Sequence, residues 1–135
     1  MAGSRLSGNK FFQRAKEKAS DIIGDRDRMN DLVSSSREKL QNINFEDSKI
    51  SRMAVSLRVM ARIIKAFANG KYRELPWKSL LSLVGGLVYF MMPIDLIPDF
   101  IPFTGFLDDF TVIMLISGAF KHDIEEFLRW EEGSK

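Results

Sequence analysis

The sequence predicts an all-α protein of about five helices. Apolar residues recur at helical spacing in every long segment. Strand-like alternation is lacking throughout. Helix-ending and helix-starting residues separate the segments at regular intervals. At 135 residues, with 45% hydrophobic and 28% charged side chains, the chain fits one globular domain able to bury a core. Three parts follow: a frayed tail over 1–9, two amphipathic helices over 10–48, and a helical domain over 49–135 containing an apolar hairpin, 76–131.

The first helix is expected over Lys10–Ile23, with Phe12, Ala15, Ala19, Ile22 and Ile23 on one face. Gly24 suits the left-handed residue after a helix, and Asp25 can cap the next. That second helix, Arg26 to about Ile43, carries Met29, Leu32, Val33, Ser36, Leu40 and Ile43 as a stripe with a small residue in its middle. The two form a hairpin within the fold or, alternatively, an arm for self-association or for a protein partner. The third helix, about Lys49–Asn69, has a broad apolar face. Arg58, Arg62 and Lys65 make a basic stripe on the opposite side, a spacing that suits phosphate groups of lipid better than nucleic acid. Gly70 ends it.

Pro76 opens the fourth helix, where a missing N–H costs nothing. Trp77–Met92 is almost wholly apolar. Gly85 and Gly86 within it call for close approach of another backbone. Ser82 and Gly86 are expected to face Ser117, Gly118 and Ala119 across the hairpin. The last helix is expected over Gly105–Glu131, capped by Thr104, apolar all round to Phe120 and amphipathic beyond.

Between these two helices lies Tyr89-Phe-Met-Met-Pro-Ile-Asp-Leu-Ile-Pro-Asp-Phe-Ile-Pro-Phe-Thr-Gly-Phe-Leu-Asp-Asp109. It holds Pro93, Pro98 and Pro102 with Asp95, Asp99, Asp108 and Asp109, and no basic residue. The repeat Asp95-Leu-Ile-Pro98, Asp99-Phe-Ile-Pro102 reads as two capped turns that pivot the chain, because Pro is accepted in a first turn whose N–H groups are unpaired anyway. The sharper reading is a hard-cation site. The same four carboxylates supply the oxygen ligands that Mg²⁺ or Mn²⁺ takes, and a metal-bound water there would make a hydrolase. His122, well downstream, reads as a surface residue. No phosphate loop, nucleophile elbow or zinc spacing is present.

Charge is uneven. Through Lys78, 17 Lys/Arg face 9 Asp/Glu; from Ser79 on, 3 face 9. A basic half suits an anionic membrane surface, whereas the acidic half argues against an extended nucleic-acid footprint. The basic helices can also lie over the acidic hairpin. A spanning helix needs about 20 apolar residues. Trp77–Ile94 comes near, with Trp77 and Tyr89 as interface anchors, but Asp108–Asp109 and Lys121–Asp123 cut the second segment short. Length therefore favours a soluble or peripheral protein whose hairpin is its core. Met1–Lys10 has no apolar leader, so no secretion is expected; the lack of cysteine suits a reducing compartment.

The pattern Tyr89-x-x-x-Pro93-Ile-Asp95-Leu-Ile-Pro98-Asp99-Phe-Ile-Pro102-x-x-Gly105-Phe-Leu-Asp108-Asp109 resembles the signature of the bacterial YkvA-like proteins, a domain of unknown function. Lys71-Tyr-Arg-Glu-Leu-Pro-Trp77 resembles that family's lead-in, and the likeness covers roughly Ile64–Phe120. It implies a small membrane-associated helical protein, and the basic loops are expected on the cytoplasmic side. It implies no catalytic activity. It also marks Pro93, Asp95, Pro98, Asp99, Pro102, Gly105, Asp108 and Asp109 as the positions that matter, for folding or for binding. The function expected from all this is a non-enzymatic membrane-associated adaptor, against a divalent-metal hydrolase or a soluble helical binding protein.

Overall fold

The computed structural model describes residues 10–42, 48–91 and 104–133. These form six helices: α1 (Lys10–Ile22), α2 (Arg26–Gln41), α3 (Ser48–Ala68), α4 (Trp77–Met91), α5 (Thr104–Ala119) and α6 (Lys121–Gly133). The described chain is all-α, as its periodicity requires. The expected tail, 1–9, lies outside the described residues. So does the chain between α4 and α5.

Local chemistry sets the helix ends within a residue or so of expectation. Gly24 takes φ 104° after α1, a conformation in which a Cβ would be strained. Asp25 then adopts extended backbone, and its carboxylate accepts from the Arg28 N–H at 3.1 Å, capping α2. At the end of α3, Gly70 has φ 76°. Its N–H donates to Phe67 O (3.1 Å), and the Lys71 N–H donates to Ala66 O (2.9 Å). This crossed pair satisfies two carbonyls that the helix leaves open. Asn69 at that end accepts from Arg26 (3.1 Å) and Asn30 (3.2 Å) of α2, so α2 starts where α3 finishes and the two run antiparallel.

α4 lies at the centre. Every residue from Ser79 to Phe90 is buried except the half-buried Leu81. It touches α1, α2, α3 and α5, which is why it can be apolar all round. Its two glycines serve different neighbours. A Cβ on Gly85 would lie 3.1 Å from Lys16 Cγ and 3.6 Å from Lys16 Cα of α1. One on Gly86 would lie 2.6 Å from Met60 Cε of α3 and 2.9 Å from Ile116 Cδ1 of α5. At Gly86 the space is taken by the side chains of Met60, Ile113 and Ile116, and the expected approach of another backbone occurs at Gly85, against Lys16. Gly118 and Ala119 are exposed, so the expected contact between small patches is not formed. Ser117 is half-buried, but Gly118 and Ala119 point away from the core.

The apolar faces of α1 and α2 join the same core. Phe12, Ala15, Ala19, Met29, Val33, Ser36 and Leu40 are all buried. Phe12 meets Tyr89 edge-on at 6.4 Å between centroids.

The expected single last helix is two. The break falls at Phe120, although Phe120 N–H still donates to Ile116 O and Ile124 N–H to Phe120 O, each at 3.0 Å. The cause is packing. α5 buries Val112, Ile113 and Ile116, whereas α6 must turn Phe127 and Trp130 towards Tyr72. Gly118, with no heavy atom within 4 Å of its Cβ position, offers little resistance to that change of direction.

Candidate functional site

Four sets of residues carried functional expectations, and the structure treats them differently. Pro93, Asp95, Pro98, Asp99 and Pro102 lie outside the described residues. Gly105 falls in the first turn of α5, and Asp108 and Asp109 in its second; the placement of these two carboxylates is likewise outside the description. Among the described residues, no three His, Cys, Asp or Glu side chains come together to hold a metal.

The start of that motif, at the end of α4, belongs to the core. Tyr89, expected as a membrane-interface anchor, is 1% exposed; it belongs to the core because α1 covers its face of α4. Trp77 at the other end is 56% exposed. At the C-terminal end of α4, Lys39 of α2 donates its ammonium to Phe90 O and sits 4.4 Å above the Phe90 ring. A cation there complements the negative helix end, and it delivers a positive charge to the entrance of a segment that has none of its own.

The N-terminal end of α4 is held by the lead-in loop. Tyr72 meets Phe127 edge-on (5.2 Å) and Trp130 at a tilt (5.0 Å), and these two rings are 5.5 Å apart. Ser79, buried, donates to the Asp123 carboxylate in the first turn of α6. The Tyr72 hydroxyl is pushed above its ordinary pKa, first by burial and then by the negative charge of Glu126, Glu74 and Asp123.

The basic stripe is the most developed surface feature. Arg58 and Arg62, one turn apart on α3, line a cleft of about 260 Å³ together with Arg37, Leu40 and Gln41 of α2. Lys65, further along α3, is exposed and outside this cleft. Arg62 is clamped by Glu131 of α6 through two parallel bonds, Nε to Oε2 at 2.9 Å and Nη2 to Oε1 at 3.0 Å. This is one point where the basic and acidic halves of the chain meet. Arg37 is half-buried and makes no ion pair among the described residues. The guanidinium fork can hold two oxygens of an oxyanion in its plane.

Arg37, Gln41 and Glu131 were not legible as partners of the stripe. Arg37 follows Ser36, the small residue of the α2 stripe, and that adjacency to a buried position was the available signal. Which helix face would meet it was not.

No described helix is long and apolar enough to cross a membrane. Residues 79–115, which include most of α4 and of α5, match the model of a protein family of unknown function, DUF1232. The chain is also 35% identical over 69 residues to an uncharacterized membrane protein, YkvA, of Bacillus subtilis (strain 168). That alignment covers 51% of this chain and 65% of the relative, a little under two thirds of its length. No solved structure matches the chain. Over residues 79–115, the chain is thus similar to a YkvA-like family of unknown function.

Proposed function

We propose that the protein is a non-enzymatic, peripheral membrane module that docks on anionic lipid from the cytoplasmic side. Arg58, Arg62 and Lys65 would form part of its contact surface. The observation that carries this reading is the position of α4. The most apolar helix of the family-matched segment is buried on every side by α1, α2, α3 and α5. A helix enclosed in this way has no face left for lipid, so attachment of the kind the relative's description implies falls to the surface. The basic faces of α2 and α3 supply the charge for it.

Each Lys or Arg held near an anionic leaflet contributes about 1 kcal/mol, so with Arg62 paired to Glu131 the other two amount to roughly thirtyfold in partitioning. Co-sedimentation with neutral vesicles and with vesicles containing anionic lipid tests this. Binding to the anionic vesicles alone, reversed by about 0.5 M salt as charges are screened, is expected. Equal failure to bind either vesicle would end the membrane reading. Retention through high salt and alkaline carbonate would end the peripheral one.

A further inference from the structure

We propose that Trp77 and the basic lead-in to α4 are the place where the protein enters an anionic lipid surface, with the indole ring lying among the headgroups. The proposal deepens the peripheral docking described above and rests on it.

Trp77 starts a row along α4 in which Leu81, Gly85 and Tyr89 follow four residues apart. Exposure falls along that row. Trp77 is 56% exposed, Leu81 half-buried, Gly85 buried and Tyr89 1% exposed. The cause is the reach of α1. Phe12 meets Tyr89 and Lys16 lies against Gly85, so α1 runs antiparallel to α4 along this row. It ends at Ile22, about 9 Å past Lys16, whereas Trp77 lies about 12 Å before Gly85. The covering helix stops short, and the turn at Gly24 leads the chain away into α2. An indole is left at the surface where the rest of its row is core.

Its surroundings are basic and held in place. Tyr72 and Leu75 are buried and pin the lead-in loop to the core, while Lys71, Arg73, Glu74 and Lys78 are exposed. Arg73 lies over the Phe67 ring, 4.5 Å from its centroid. Lys65 stands in the last turn of α3, closed by the Asn69 N–H donating to its carbonyl at 3.1 Å. From Lys65 to Lys78 there are four cations and one acid. Asp123 of α6 meets α4 at Ser79, two residues beyond Trp77 and about 200° round the helix. That carboxylate therefore sits on the side of α4 opposite the indole.

An indole has an apolar body and one polar N–H, which suits the boundary between headgroups and acyl chains. The ring alone would fit a protein pocket equally well. The four cations around it favour an anionic lipid surface, where buried apolar area and charge act together.

The chain has two tryptophans, and Trp130 packs on Tyr72, so Trp77→Phe leaves an internal reference. The full chain is titrated with vesicles of phosphatidylcholine, alone or mixed with phosphatidylglycerol, with and without bromine on the acyl chains. Tryptophan emission and co-sedimentation are read together. With anionic vesicles, wild-type emission should shift to the blue and be quenched by the brominated lipid, whereas the Trp77→Phe protein should show neither change. Trp77→Ala should weaken vesicle binding about tenfold and Lys78→Gln about fivefold. Val55→Ala, at the other exposed large apolar residue among those described, should leave it unchanged. Thermal melts show that each variant is folded; should Trp77→Ala not fold, quenching of the wild type decides. Sedimentation with anionic vesicles without shift or quenching would overturn the anchor and leave the docking reading standing. Failure to sediment with either vesicle would overturn both. A blue shift that grows with protein concentration in the absence of lipid would overturn the anchor in favour of a second copy of the chain as the occupant.

Discussion

α4 and α5 are nearly equal in apolar content, yet the fold uses them differently. α4 is enclosed, with eleven of its fifteen residues buried. In α5, Val112, Ile113 and Ile116 are buried, Met114, Leu115 and Ser117 are half-buried, and Gly118 and Ala119 are exposed. The difference lies in neighbours rather than in composition. α4 receives α1 through Gly85 and the α3–α5 side through Gly86, whereas the described half of α5, 112–119, meets the core along one side. An apolar stretch marks a helix as a candidate for burial, and the number of helices that can reach it decides how much of it is buried.

The sharpest way to break this comparison is to truncate one large side chain on each helix. Phe90 is 0% exposed, and Phe90→Ala should cost about 3–5 kcal/mol in urea unfolding. Leu115→Ala on half-buried ground should cost roughly 1–2 kcal/mol. Equal losses would mean that the two helices are equally central.

The glycines give a second contrast, smaller and with opposite signs. Gly86→Leu forces a side chain into space held by the fully buried Met60 and Ile116, and should destabilise by about 3 kcal/mol. Gly118→Ala meets nothing within 4 Å and removes a flexible residue from a helix, so it should stabilise by about 0.5–1 kcal/mol. Thermal melts would reveal both, and a destabilising Gly118→Ala would show that α5 has a close neighbour there.

The smallest effect concerns α6, which supplies the aromatic contacts to Tyr72. Because the Tyr72 hydroxyl has its pKa raised above 10.0 in the folded protein, the fold disfavours tyrosinate. That contribution is complete below pH 10 and is lost as pH rises from there through the folded value. Wild-type urea midpoints should therefore fall more between pH 9 and 11 than those of Tyr72→Phe. Identical pH profiles would show that Tyr72 is not held neutral by its surroundings.

The membrane expectation is likewise sharpened by the comparison. The segment that came closest to a spanning length, Trp77–Ile94, owes its apolar character over Ser79–Phe90 to enclosure by other helices. Tyr89 shows this directly: a residue suited to a lipid interface by type is 1% exposed against Phe12. The exposed counterpart is Trp77, whose side chain sits at the start of α4 beside the basic loop.

The amino-acid sequence by itself determined the helical class, the placing of most helix ends, and the faces that α1, α2 and α3 bury, apart from Val55 of the apolar α3 face, which is exposed. Those properties depend on neighbours three or four residues apart, on Gly24 and Gly70 accepting positive φ, and on Asp25 reaching a free N–H, all of which are local. It also carried the family likeness now supported over 79–115. Only the tertiary structure decided that α4 is central, that its adjacent glycines face different helices, that the last helix breaks at Phe120, and that Arg37 and Glu131 meet the Arg58–Arg62 stripe. Each of these is a choice among helix faces that are similar in composition, and it is made by which pairs fit together in space. Spacing along one helix says nothing about its partner, so the arginine cleft could not be read before the helices were assembled.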